Sequence, residues 1–215
     1  MVERNRAGWQ VAVVVLPLVS WLAVACQSAT AKPSPPGGGG GLADGPTRWL
    51  MLPEEHKRFR RLDTTREAVG FIEDFWRRRD PDPATPGNEF SRTFYERVEA
   101  ADRLYPEEGT RGSMTDRGRA LVLLGPPPTL RASQRRIPIW EPGRPGARAP
   151  AQSRSLQVET WVYPVADLPP ELAALIAEED PKPQIELVFA VEPKSTEILE
   201  GEKYLEMAAR AAVRR

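Results

Sequence analysis

Residues 64–83 read TTREAVGFIEDFWRRRDPDP, and this stretch decides the fold class. Thr64 and Glu67 have the spacing of a capping box, in which the hydroxyl accepts the third amide and the carboxylate reaches back. Behind that start, Ala68, Phe71, Ile72, Phe75 and Trp76 recur at steps of three and four, which builds one apolar stripe on a helix. The basic run Arg77 to Arg79 sits where a helix C-terminus favours cations, and its simplest reading is a solvated helix end. Asp80-Pro81-Asp82-Pro83 then stops the helix, because proline disfavours helical geometry in the residue before it.

Upstream, Trp49-Leu50-Met51-Leu52 reads as a short strand or an apolar entry segment, and Pro53 opens a helix through Arg61. Downstream, Asn88 caps a third helix carrying Phe90, Phe94, Val98, Ala101 and Tyr105 on one side, which is expected to pack on the second. The pattern then changes. Gly109 to Gly118 is polar and glycine-rich, and Ala120 to Leu124 reads as a short buried strand stopped by Gly125-Pro126-Pro127-Pro128. Residues 129–157 are rich in Arg, Pro, Gly and Ser and read as a mobile surface loop. Val158 to Tyr163 and Ile185 to Val191 read as strands, with a short helix over Pro169 to Glu179 between them. Ser195 to Arg215 closes the chain as a helix with Ile198, Leu199, Tyr204, Leu205 and Ala208 on its apolar side. Helices first and strands afterwards predict an α+β domain: a helical pair or triplet packed with a small sheet, then a C-terminal helix.

The N-terminus carries an address. Arg4 and Arg6 form a basic region, Val11 to Leu22 an apolar core, and Ala23 and Ala25 the small residues of a cleavage site before Cys26, the only cysteine. Gly8 to Ala25 is barely long enough to cross ~30 Å of hydrocarbon, and Gln10, Pro17 and Ser20 interrupt it. The pattern resembles a bacterial lipoprotein signal, with residues 1–25 removed and Cys26 acylated, although Ala23 stands where leucine is usual. Two or more acyl chains hold a protein at a bilayer. Gln27, where aspartate marks inner-membrane retention, implies by the same resemblance the outer membrane, facing the periplasm. The alternative is an inner-membrane protein held by an uncleaved signal. Residues 26–46 then form a Pro- and Gly-rich tether, and 47–215 a single domain. Gly37 to Gly41 are no phosphate loop, since no strand precedes them and no Gly-Lys-Ser/Thr follows.

Composition removes several kinds of chemistry. Acidic and basic residues balance at 30 each, so there is no global field for nucleic acid, and nucleic-acid binding is not expected. With Cys26 acylated, no thiol remains for a disulfide or a metal. His56, the only histidine, lies in a charged helical stretch and reads as solvated. No cofactor is implied.

The order of segments resembles the GWxTD-domain family, bacterial envelope proteins of undefined biochemical role. Phe71 to Pro83, including Phe75, Trp76, Asp80 and Pro81, followed by Thr85 and Asn88-Glu89-Phe90, is similar to the family's helical half. Gly112-Ser113-Met114-Thr115-Asp116-Arg117-Gly118-Arg119, then Leu124-Gly125-Pro126-Pro127, is similar to the segment that names it, and Glu159 to Tyr163 to its next strand. The resemblance spans Trp49 to Val191. Ser113 stands where the name has tryptophan.

Thr115, Asp116 and Gly118 suit a structural corner closed by side-chain hydrogen bonds, with Gly118 supplying a positive backbone angle. The alternative makes Asp116 a general base or metal ligand, and Arg117 and Arg119 an anion clamp, in an envelope hydrolase or a binder of anionic or glycan ligands. Pocket exposure of Asp116 beside Glu73, Glu89 or an arginine favours the second reading; acceptance of backbone amides favours the first. Asp80 and Asp82, with Glu89, have oxygens for a divalent cation, yet beside proline they shape turns. Arg79 paired with Asp80 or Glu89 would be structural. Trp76, Trp161 and Tyr163 read as core, or as a glycan-stacking platform. The expectation is a non-enzymatic, lipid-anchored protein whose domain binds another envelope protein as a scaffold.

Overall fold

The capping box forms: Thr64 Oγ1 accepts the Glu67 amide, and Glu67 accepts the Thr64 amide in return. In the computed structural model of the protein, residues 41–139 and 152–213 are described, and they build the expected α+β architecture. Short α1 (Gly41–Asp44) and a 3-10 turn (Pro46–Leu50) lead into α2 (Pro53–Phe59), α3 (Thr65–Arg77) and α4 (Glu89–Leu104). Gly41–Asp44 and Pro46, inside the segment expected to be tether, are already helical, and Trp49 to Leu52 is an apolar entry segment and not a strand. The residues expected to form a signal, a lipidated Cys26 and a tether, up to residue 40, lie outside the described residues.

Phe71 and Phe75 of α3 are buried, and Trp76 meets Phe90, Phe94 and Tyr95 of α4 at ring-centroid distances of 5.5 to 6.5 Å. Asn88 does two jobs at that junction. Its Oδ1 caps α4 by accepting the Ser91 amide, while its Nδ2 donates to the carbonyl of Trp76 at the end of α3.

The apolar run Ala120 to Leu124 is not a strand but the body of α5 (Asp116–Leu124), correcting the expectation. A run of five apolar residues suits a buried helix as well as a buried strand, and here Ala120, Leu121, Val122 and Leu124 are all buried. Thr115 is its N-cap, so the polar stretch before it is a helix start.

The loop expected over 129–157 is likewise corrected. Strands β1 (Thr129–Ile139) and β2 (Gln152–Pro164) occupy most of it and pair antiparallel from Thr129 opposite Val162 to Ile139 opposite Gln152; residues 140–151 lie outside the described residues. After α6 (Pro170–Glu179), β3 (Gln184–Val191) and β4 (Thr196–Glu200) complete an antiparallel sheet in the order β1-β2-β3-β4. The C-terminal helix is correspondingly shorter than expected: α7 spans Glu202–Ala211, and Ile198 and Leu199 belong to β4.

The sheet explains its own sequence. Trp161 and Tyr163 of β2, with Ile185, Leu187 and Phe189 of β3, face the helices and join the main core with Leu121, Leu172, Ile176 and Leu205. Leu156, Val158, Val188 and Ala190 form a second buried cluster. Both faces of β3 are thus buried, which accounts for its nearly unbroken apolar run.

Candidate functional site

The residues of the motif converge where α4, α5 and β4 meet. Gly112 lies so close to α4 that a Cβ built on it would fall 2.0 Å from the Ala101 carbonyl oxygen, and one on Gly118 would fall 1.7 Å from the Gly112 carbonyl oxygen. Both positions require the absence of a side chain. Gly118 serves by close approach within a helix and not through the positive backbone angle expected of it.

Hydrogen bonds hold that approach. Thr115 Oγ1 accepts the Gly118 amide at 3.1 Å and donates to the Gly112 carbonyl at 2.8 Å, so one hydroxyl fastens the turn to the helix. Asp102 of α4 accepts the Ser113 amide at 2.8 Å and the Arg111 guanidinium at 2.6 Å. Burial works against the charge on Asp102, but these donors outweigh it and hold the carboxyl below the usual range. Ser113 is fully buried, so the position that bears tryptophan in the family name offers no surface to a ligand here. Its carbonyl accepts the indole N–H of Trp49 at 3.0 Å.

The three charged candidates are each engaged inside the fold. Asp116 Oδ2 accepts the backbone amide of Ile198 at 2.7 Å, tying the start of α5 to β4. Arg117 pairs with Glu159 of β2 at 3.3 Å and lies over the Tyr105 ring, while Glu159 also accepts the Trp161 indole N–H. Burial, and then Glu159, push the Tyr105 hydroxyl up. Arg119 pairs with Glu202 of α7 at 2.7 Å and lies over the Trp49 ring. Glu73 and Glu89 are not among the partners of Asp116. The arrangement is the amide-accepting one, which joins helices to sheet; an anion clamp would need both guanidinium groups released from their carboxylates.

The helical half behaves similarly. Asp80 and Asp82 accept the amides of Asp82 and Ala84, closing the turn after α3. Among the described residues no three acidic or histidine side chains gather in a way that would hold a metal ion. Arg79, expected to pair with Asp80 or Glu89 if buried, pairs with Glu55 of α2 instead. It is fully buried, lies 3.7 Å from the Phe75 ring centroid, and donates to the Leu50 and Phe75 carbonyls. Burial lowers its pKa, and Glu55 opposes that. The Arg77–Arg79 run is therefore not uniformly a solvated helix end; no periodic signal marked Arg79 for the interior or Glu55 as its partner. Trp161 and Tyr163 are core residues, and the Tyr163 hydroxyl, raised in pKa by burial, donates to the Gly125 carbonyl. Trp76 packs on that core with partial exposure.

One concave surface touches the motif residues from outside. A cleft of about 220 Å³ runs between α4, α5, α6 and α7, with Leu50, Phe94, Val122, Leu172 and Ala208 on its walls. Pro81, Glu89 and Phe90, which the sequence singled out for other reasons, line it, as do Thr93 and Arg97. Arg97 Nη1 reaches the Val122 and Leu123 carbonyls at the end of α5. Its exposed lining is polar and apolar in about equal measure, which suits an apolar group flanked by hydrogen-bonding ones. Nothing in the sequence pointed to this cleft, because α6 and α7, which form its far wall, come together only in the tertiary fold.

Fold and motif together define an α+β domain in which one glycine-rich helix start locks helices to a sheet. Residues 44–143 match the family model of the GWxTD domain, so the chain carries that domain there. The matched stretch ends before β2, so the Glu159–Tyr163 block and the strands after it lie outside it. No curated protein and no solved structure matches the chain. Among the described residues no helix is long and apolar enough to cross a membrane.

Proposed function

We propose that this chain is an envelope lipoprotein, acylated at Cys26, whose domain is a non-enzymatic binding module for another envelope protein. One observation carries the binding reading: Asp116, Arg117 and Arg119, the charged groups of the motif, are spent on Ile198, Glu159 and Glu202. Groups so engaged stabilise the fold and are not poised for proton transfer. The cleft beside Phe90 and Phe94 is a surface open to recognition, and its apolar walls, flanked by Thr93 and Arg97, fit an aliphatic or aromatic anchor from the partner.

The anchor reading rests on the basic, apolar and small-residue order that ends at Cys26. It places the domain at the outer membrane, in the periplasm. Mass spectrometry of the protein from native membranes tests the anchor: the expected N-terminus is Cys26 with an added lipid mass, and an unmodified thiol with residues 1–25 retained overturns it. A photocrosslinking residue at Thr93 tests the cleft in the same membranes. One discrete adduct is expected, abolished when Phe90 is also replaced by alanine; an adduct pattern identical to that from a crosslinker at exposed Glu197 would refute the cleft.

A further inference from the structure

Immediately after Glu55 the chain reads His56-Lys57-Arg58-Phe59-Arg60-Arg61. Cations elsewhere in the protein are widely paired, from Arg77, Arg78 and Arg79 to Lys203 and Arg210. Among the described residues, Arg48, Lys57, Arg58, Arg60 and Arg61 enter no ion pair, and all five are exposed. Arg48, His56, Phe59 and Arg60 line one hollow of about 470 Å³ together with Ala43 and Asp44. Asp44, Glu54 and Asp63 belong to the same stretch, and the cations outnumber them. In a chain whose total charge is balanced, this is a local excess of positive charge, only partly offset by Asp44, Glu54 and Asp63.

Its position in the chain matters. Gly41, the first residue of α1, follows Cys26 by only fifteen positions, and Ala43 already lines the hollow. Fifteen residues reach at most ~50 Å however they are arranged, so an anchor at Cys26 keeps this end of the domain within that distance of the lipid. Guanidinium groups match phosphate oxygens in two-point fashion. We propose that Arg48 and Arg60 at the hollow, with exposed Lys57, Arg58 and Arg61 beside them in and just after α2, dock on anionic phospholipid headgroups of the bilayer that holds the N-terminus. This rests on the anchor reading above; it adds an orientation, leaving the cleft on α4 and α7 to the protein partner.

Lysine reactivity reads the docking directly. The full chain, with its native N-terminus, is placed in vesicles of phosphatidylcholine with phosphatidylglycerol, or of phosphatidylcholine alone, and pulsed with an amine-acylating reagent. Expected is a several-fold slower modification of Lys57 in the anionic vesicles only, reversed by high salt, with Lys182, Lys194 and Lys203 unchanged. Arg60→Gln with Arg61→Gln, both exposed, restores Lys57 reactivity, since each cation near an anionic surface contributes about fivefold in binding. Equal Lys57 reactivity in the two vesicle types overturns the proposal. So does protection that survives in neutral vesicles or in the double variant, which would assign the face to a second protein. Failure of the anchor shows differently, as a chain that lacks lipid mass; salt-dependent flotation of that chain with anionic vesicles still decides the docking.

Discussion

Asp116 and Ile198 are 82 positions apart, and the carboxylate of one accepts the backbone N–H of the other at 2.7 Å. The bond joins the first turn of α5 to β4, linking the motif to a strand outside the family-matched stretch. A charge-assisted bond of this kind contributes roughly 1.5–3 kcal/mol when buried, and Asp116 is only partly so. Asp116→Ala is expected to lower the unfolding free energy by about 1–2 kcal/mol in urea titration, and Asp116→Asn by about half that. A purely catalytic aspartate would leave the urea midpoint where it is.

Gly118→Ala separates steric need from helix propensity. Alanine favours a helix interior by about 1 kcal/mol over glycine, so an open site would gain stability. At Gly118 the new Cβ would lie 1.7 Å from the Gly112 carbonyl oxygen, which is backbone and can move only with the turn. The variant is expected to lose about 3 kcal/mol or more, visible as a lower thermal midpoint. Gly70, on α3 with open space where a Cβ would project, is the control, and Gly70→Ala should stabilise.

The helical half was legible because its signals are local. The Thr64 cap, the stripe to Trp76, the Asp80–Pro83 stop and the Asn88 cap each act within a few residues, and each appears in place. The sheet was legible only where burial marks it, over 158–163 of β2 and along β3. β1 was missed because it is an edge strand whose described side chains through Arg136 are exposed, so no apolar alternation marks it. α5 was missed because an apolar run buried on all sides has no period to read. At the site, the sequence supplied the residues but not their partners: Glu55 for Arg79, Ile198 for Asp116 and Glu202 for Arg119 are all set by long-range packing.

The Glu55–Arg79 pair makes the helical half sensitive to one carboxylate. Arg79 has no exposure and Glu55 is 5% exposed, so removing the anion strands a guanidinium in the interior. Glu55→Gln is expected to cost about 3 kcal/mol. Replacing both, with Glu55→Leu and Arg79→Met, removes the charge along with its partner and is expected to recover at least half of that loss in the same denaturant assay. A double variant as unstable as Glu55→Gln would show that the groups left without partners, the Leu50 and Phe75 carbonyls and the Leu52 amide, and not the buried charge, set the cost.

Asp102 sets part of the acid limit. Against the upward pull of burial, the Ser113 amide and the Arg111 guanidinium hold its folded carboxyl below the unfolded value near ~3.9, so its contribution is complete above about pH 5. As the pH falls through the lowered folded value, the native state must take up a proton and that contribution disappears. Asp102→Asn keeps an oxygen for the Ser113 amide but loses the charge, and is expected to be about 1 kcal/mol less stable near neutral pH. Urea midpoints followed downward from about pH 7 should show the gap between the two proteins closing in the acid range. A constant gap down to about pH 2 would mean that the Asp102 charge contributes nothing to holding the Gly112–Ser113 turn against α4.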